Sequence, residues 1–341
     1  MQTLDIIGID LAKNVFQLHG ASKTSAVLFQ KKLPRGKLLT FLAAQPLCTI
    51  AMEACASAHC WGRQISTLGH TVRLIAPNYV KPFVKRQKND AADAQAICEA
   101  AQRPTMRFVA VKSEEKQASP MVFKARDLLV RQRSQIINAL RGHLTEFGII
   151  APQGPRHIHT LVAAVEDSAS SLPEIARSVC RMLIATLGEL NQKIGELDRE
   201  IMQRARQDDE IRRLMTISGV GPITATALEA LAPAAETFDK GRDFAAWMGL
   251  TPKQNSSGGK PRLGKTSKMG QRDLRHLLII GATAVVRSAT RHGTAAHSWL
   301  GRMLRCKPPL LIAVALANKM ARIAWVLMAR GGVYRASGPA A

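Results

Sequence analysis

At 341 residues the chain can bury a sizeable core and hold two or three domains. Its 48 Lys and Arg against 25 Asp and Glu leave a net charge of +23, more than solubility requires, which points to a polyanionic partner and to nucleic acid ahead of an anionic membrane face. Aromatics at 4% argue against single-strand binding on stacked rings; the N-terminus has no signal-peptide pattern, no apolar run is expected to reach the roughly 18 to 20 residues that cross a bilayer, and a cytoplasmic protein is expected.

In chain order, Leu4–Asp10 reads as a buried strand, followed by strands at Asn14–His19 and Val27–Lys31, an antiparallel meander. A helix is predicted over Gly36–Ala44, a strand over Thr49–Glu53, a helix over Ser57–Leu68 and a strand over Thr71–Ile75. Next comes Gln87–Ile97, an Ala-rich run in which Asp90 and Asp93 leave one face of a helix, just after the basic Val84–Lys88. The order β-β-β-α-β-α-β-α is the ribonuclease H-like layout. In that layout Asp10 ends the first, central strand, Glu53 ends the fourth, and Asp90 and Asp93 sit on the last helix. Together these carboxylates would repel one another unless divalent cations neutralised them, so Asp10, Glu53, Asp90 and Asp93 form a candidate metal site for magnesium or manganese. Cys48, Cys55, Cys60, Cys98, Cys180 and Cys306 make no Cys-x-x-Cys pair and read as free thiols of a reducing compartment.

Beyond Pro104 the pattern turns helical. Arg126–Phe147 places Leu129, Ile136, Leu140, Leu144 and Phe147 on an apolar side, with Arg131, Arg133 and Arg141 giving a basic one. After a break at Gly148–Pro155, Leu183, Leu187, Leu190, Ile194, Leu197 and Ile201 follow the heptad spacing of a coiled coil, from which self-association is expected. Ile217–Ala225 reads as the Gly-x-Gly turn of a helix-hairpin-helix, with Gly219 and Gly221 letting the backbone approach a phosphate. Then Thr251–His276 gathers Lys253, Lys260, Arg262, Lys265, Lys268, Arg272 and Arg275 against a single acid, Asp273, around a hinge at Ser256-Ser257-Gly258-Gly259. Apolar core helices are predicted near Leu274–Thr290 and Leu310–Met328, and a disordered tail from Gly331.

Taken together, Gly8-Ile9-Asp10-Leu11-Ala12-Lys13, Met52-Glu53-Ala54-Cys55, Lys88–Ala94, the Leu128–Arg133 helix, Gly219-Val220-Gly221, Ser256–Lys260 and Thr266–Gly270 make the chain resemble, over essentially its whole length, transposases of the insertion-sequence one-ten family, near its eleven-eleven subgroup and the Piv invertase relatives. The resemblance implies a RuvC-like domain at 1–110 that binds magnesium through the four acids, a coiled-coil domain at 111–208, a mainly helical transposase domain at 209–330 and a tail at 331–341. It implies that Ser257, the serine directly before the glycines, attacks DNA. It further implies a homo-oligomer, dimer or tetramer, guided by a noncoding RNA that pairs with target and donor DNA. Ser119-Pro120 departs from that pattern by interrupting a helix. Competing readings are a metal-only junction-resolving nuclease, in which Ser257 is a plain loop residue, and a sugar-kinase or actin-like ATPase; a second Asp-x-Gly loop and a Gly-rich adenosine motif are missing for the latter. A fourth, a catalytically inactive nucleic-acid binder, is disfavoured by the intact acids.

Overall fold

A computed structural model describes residues 3–84, 90–295 and 297–335 of the chain, which divides into two compact units at Ala118/Ser119. The first unit is built on strands β1 (Ile6–Asp10), β2 (Val15–Ala21), β3 (Val27–Pro34), β4 (Thr49–Glu53), β5 (Thr71–Ile75) and β6 (Phe108–Val109). They form one sheet in the order β3-β2-β1-β4-β5-β6. The first three pair antiparallel, β1 with β4 and β4 with β5 pair parallel, and β6 returns antiparallel. The sequence reading anticipates the order of the first five. The short β6 is not foreseen, because a two-residue strand carries no readable periodicity.

Helices α1 (Leu38–Ala43) and α2 (Ala58–Ser66) cover one face of the sheet, where Leu38, Leu42, Trp61 and Ile65 bury against Ile7, Ile9, Phe16 and Ile50. After the short α3 (Pro77–Val80), helix α4 (Asp90–Ala101) covers the other face, with Ala96, Ile97, Cys98, Ala100 and Ala101 packed on Ile6, Ala51 and Ile75. One residue sets the closeness of that packing. A Cβ at Gly8 would lie 2.4 Å from the Ala94 carbonyl oxygen and 2.8 Å from the Cys98 Cβ, so glycine in the middle of β1 lets α4 sit directly on the central strand.

Helix α5 (Glu114–Thr145) starts six residues ahead of Pro120 and runs on through it, so the helix start questioned on account of this proline lies upstream of it. Beyond residue 118, in the second unit, α5 runs antiparallel to α7 (Glu174–Gln207), with the short α6 (Ile158–Glu166) between them in sequence. The pairing is stitched by Arg204 to the Ser119 hydroxyl at 3.0 Å, Arg126 to Asp198 at 2.5 Å and Arg133 to Asn191 at 3.4 Å. Leu187, Leu190, Ile194 and Ile201 are buried within the chain, and Leu183 packs in a cluster with Leu140 and Leu144. The heptad seam is thus covered by the chain's own helices, which removes the basis on which self-association was read from it. The matching stripe on α5 has Phe123, Ile137, Leu140 and Leu144 buried, but Arg126 and Arg133 stand at two of its heptad positions.

The expected basic side of α5 is correspondingly taken up. Arg133 is engaged with Asn191, Arg131 with Asp127, and Arg141 donates to the carbonyls of Pro152 and Gly154 at 2.8 Å each. Over residues 119–208 the charge is 12 Lys and Arg against 10 Asp and Glu, a net of +2.

The rest of the second unit comprises α8 (Asp209–Leu214), α9 (Pro222–Leu231), α10 (Gly241–Trp247), a hairpin of β7 (Pro252–Gln254) and β8 (Leu263–Thr266), then α11 (Arg272–His292), α12 (Trp299–Cys306) and α13 (Pro309–Arg330). By length and hydropathy α13 could cross a membrane, contrary to the expectation that no run would reach that length. Its Ile312, Ala313, Ala317, Met320, Ala321 and Ala324 instead bury in the core shared with α9, α10 and α11. The start of the expected disordered tail is also tied down: the Tyr334 amide donates to the Thr216 hydroxyl at 2.9 Å and its ring packs on the core. Residues 336–341 lie outside the described residues.

Candidate functional site

Asp10 and Glu53 are the last residues of β1 and β4, adjacent parallel strands in which Ile9 stands beside Met52. Asp90 and Asp93 occupy the first turn of α4, where the positive end of the helix dipole favours negative charge. Because Gly8 holds α4 against β1, that turn lies over the strand end. Oxygens of Asp10, Asp90 and Asp93 come within 4.8 Å of one another. A six-coordinate Mg²⁺ with ligands at about 2.1 Å separates opposite oxygens by about 4.2 Å, so these three carboxylates fit one hard cation with little movement. Glu53 lies outside this trio but inside its field. Burial first, and then the charge of Asp93, push its carboxyl above the usual range.

Cys55 joins this neighbourhood. Burial, and then the charges of Glu53 and Asp10, raise its thiol, while its own amide opposes the shift. The raised pKa keeps Cys55 a neutral thiol at the rim of the acidic site. Its place there is not evident from spacing, because Cys55 carries no acid and belongs to no paired-cysteine pattern. The lysines and arginine at 85–88, upstream of the Asp90 helix, lie outside the described residues.

Ser257 sits at the tip of the β7–β8 hairpin. The strand pairing continues to a bridge between Ser257 and Lys260, whose amide donates to the Ser257 carbonyl at 3.1 Å. Between them Gly258 and Gly259 have φ of +55° and +73°, the condition of a type I′ turn, which glycine meets without strain. The segment expected to be a flexible hinge is therefore a defined two-residue hairpin turn. Its two serines have separate roles. The Ser256 hydroxyl accepts from the Arg262 amide at 3.0 Å and ties the strands together. The Ser257 hydroxyl makes no such bond among the described residues, and residues 252–260 are all exposed.

The hairpin stands on a rigid base. At Gly249, φ is +70° and a Cβ would lie 2.0 Å from the Met269 carbonyl oxygen; at Gly270, φ is +71° and a Cβ would lie 1.7 Å from that of Trp247. Backbone meets backbone at this crossing, and Arg275 seals it by donating to the carbonyls of Met248 and Met269 at 2.7 and 2.9 Å. Burial lowers the Arg275 guanidinium pKa, with Arg272 adding to that shift and Asp273 opposing it. Arg275, grouped in the sequence with the phosphate-facing cations, is a clamp. Lys260, Arg262, Lys265, Lys268 and Arg272 remain exposed around the hairpin and its base.

The Gly-x-Gly segment divides in the same way. A Cβ at Gly219 would meet the Gly281 carbonyl oxygen at 2.8 Å, and one at Gly281 would meet that of Gly219 at 2.0 Å. Gly219 thus serves packing on α11 instead of approach to a phosphate. Gly221 is exposed and caps α9 with nothing within 4 Å of its would-be Cβ.

Residues 7–149 match the transposase family described as DEDD_Tnp_IS110, and residues 211–298 match the transposase IS116/IS110/IS902 family. The chain is 47% identical to a probable family 20 transposase of Pseudomonas aeruginosa, covering 97% of this chain and 99% of the relative. The chain belongs to the IS110 family of insertion-sequence transposases. The transposase for insertion sequence element IS1328 of Yersinia enterocolitica is 41% identical over 98% of this chain and 99% of its own length. That for IS1111A of Coxiella burnetii is 36% identical over 98% and 92%. This transposase is thus an enzyme acting on DNA, and the acidic cluster of its first unit suits divalent metal.

Proposed function

We propose that this transposase cuts and rejoins DNA through a phosphoserine link formed by Ser257, with the first unit acting as a RuvC-like domain whose Asp10, Glu53, Asp90 and Asp93 hold Mg²⁺ or Mn²⁺. In the cutting step the Ser257 hydroxyl oxygen bonds to phosphorus, one phosphorus–deoxyribose oxygen bond breaks, and the leaving hydroxyl takes up a proton as the serine loses its own. In rejoining, a hydroxyl of the partner strand attacks the same phosphorus and releases the serine. Bond energy is kept in the link, so no nucleotide cofactor is needed. Bound metal would polarise a phosphate oxygen and lower the cost of deprotonating a hydroxyl.

The observation that carries the reading is the division of labour between the serines: Ser256 is committed to the Arg262 amide, while Ser257 is presented at the tip of a glycine turn among exposed cations. Lys260, Arg262, Lys265, Lys268 and Arg272 would hold the phosphates, and Gly221 with the first amides of α9, in helix-hairpin-helix fashion, a more distant one. Residues 111–208 would form the helical domain that lies between these parts in sequence. The guide RNA and the oligomer belong to the same proposal and rest on the family resemblance and the +23 charge.

Recombination measured on a plasmid reporter tests it. Ser257→Ala should leave no product and Ser256→Ala a weakened one. Clean hydrolysed ends from Ser257→Ala in Mg²⁺ would favour the metal-only nuclease. Purification of the full chain with its bound nucleic acid, followed by sequencing, tests the guide: a discrete structured transcript supports it and random RNA opposes it.

A further inference from the structure

The last acidic residue of the chain is Asp273. Residues 274–341 contain ten Lys and Arg and no Asp or Glu, so any neutralising side-chain carboxylate must come from elsewhere. The fold arranges part of this charge in one direction. On α11, Leu274, Leu278, Ala282 and Val286 are buried, which turns Arg272, His276, Ile280, Ala284, Arg287 and Arg291 outward as one exposed stripe. At about 1.5 Å per residue, Arg272 and Arg291 stand about 28 Å apart along the helix. The chain then enters α12, where Leu300, Met303 and Leu304 face the core and Arg302 and Arg305 are exposed, with Lys307 just beyond.

α12 is fixed in place. Ser298 caps it by accepting from the Gly301 amide at 3.0 Å, and Lys319 of α13 lies 5.2 Å from the centre of the Trp299 ring. Arg302 reaches only a backbone carbonyl, that of His297. Among the described residues no carboxylate pairs with Arg287, Arg291, Arg302, Arg305 or Lys307.

We infer that the exposed arginine stripe of α11, which starts at Arg272 six residues after the serine hairpin, together with the exposed cations of α12 that follow it in the chain, is a second contact surface for the backbone of duplex DNA. Several cations with no carboxylate partner among the described residues, held on helices, suit a regular polyanion. A 28 Å track corresponds to about eight base pairs at 3.4 Å each. Arginine forks bind phosphate oxygens in pairs, and the stripe carries no Phe, Tyr or Trp, the larger rings that a single strand would stack upon. The surface sets the length of DNA held beside the hairpin and takes no part in the chemistry, so it stands or falls apart from the role of Ser257.

The test uses the full chain with Arg287, Arg291, Arg302 and Arg305 all changed to Gln, beside a hairpin variant with Lys260, Arg262 and Lys265 changed to Ala. Binding to random-sequence DNA duplexes of 30 base pairs and, closed by a loop, of 5 base pairs, which is shorter than the track, and to a 30-base-pair RNA duplex, is followed across a salt series. On the long DNA duplex the four-residue variant should lower the slope of log K against log salt by about 2 to 4, at about 0.9 per lost phosphate contact. On the short duplex the change should be smaller, and with the hairpin variant the losses should add. An unchanged slope on long DNA, with thermal unfolding matching the parent, would overturn the inference. So would a loss confined to the RNA duplex, or one equal on both DNA lengths.

Discussion

The acidic site and the serine hairpin place their candidate groups in opposite ways. The first draws on residues 10, 53, 90 and 93 from two strand ends and a helix start, and the sheet and α4 bring 10, 90 and 93 together with 53 in their field. The second lies within fifteen consecutive residues and needs only its turn and its base. The acidic site holds like charges close together, and Asp93 adds to the burial that raises the Glu53 carboxyl; the hairpin is surrounded by cations. Long-range placement depends on the packing of the whole unit, whereas local placement presents one exposed hydroxyl at the tip of a defined turn.

Breaking one site should therefore leave the other's folding intact. Asp10→Asn or Asp93→Asn should lower recombination by about a thousand-fold or more, since loss of metal-borne charge stabilisation is worth several kcal/mol of barrier. Far-ultraviolet circular dichroism and DNA binding should be unchanged. If either variant kept a tenth of the parent rate, those acids would not hold the essential metal.

Gly270→Ala attacks the base of the hairpin, where the new Cβ would meet the Trp247 carbonyl at a positive φ. It should destabilise the second unit by about 2 to 4 kcal/mol, seen as a lowered thermal midpoint, while metal binding by the first unit is retained. Saturating Mn²⁺ should in turn raise the stability of the parent by about 2.7 kcal/mol at a hundred times its dissociation constant. In Asp90→Asn that rise should shrink or vanish; an undiminished rise would place the cation elsewhere.

A smaller effect sharpens the electrostatic side. Because burial and Asp93 raise the Glu53 carboxyl, folding favours its protonated form. Its contribution to stability is thus most favourable below its ordinary unfolded value and is lost as the pH rises through the raised one. In metal-free protein at pH 7, Glu53→Gln should be more stable than the parent by a few tenths to about 1 kcal/mol once solvent screening is allowed for. The difference should close towards pH 4 and reverse sign with saturating Mn²⁺. Denaturant midpoints across that range decide it, and a variant less stable than the parent at pH 7 without metal would contradict the raised carboxyl that burial and Asp93 produce.

Much of the acidic site was legible because strand periodicity and the Asp-x-x-Asp spacing are local signals whose joint placement follows from a known topology. What the sequence hid was the contact that sets it, since a glycine inside a strand does not announce that α4 rests on its missing side chain. In the second unit the cations were visible but their engagements were not. Arg126 and Arg133 stand at heptad positions that a hydrophobic pattern cannot include, and Arg275 looks like any other basic loop residue until two carbonyls are found in its reach. The Ser-Gly-Gly-Lys turn carried a hairpin signal in its two glycines, but the flanking strands are too short and too polar to show an alternation of period two.

The central claim is that the two sites serve one covalent reaction at Ser257. The full chain, incubated with DNA and Mg²⁺, quenched by denaturation and digested, gives peptides whose masses report any attached nucleotide. A phosphodiester on Ser257 that disappears in EDTA and in Asp10→Asn, and is present in Ser256→Ala, is the expected result. DNA linked to another residue, or cut DNA with no peptide adduct, would contradict it.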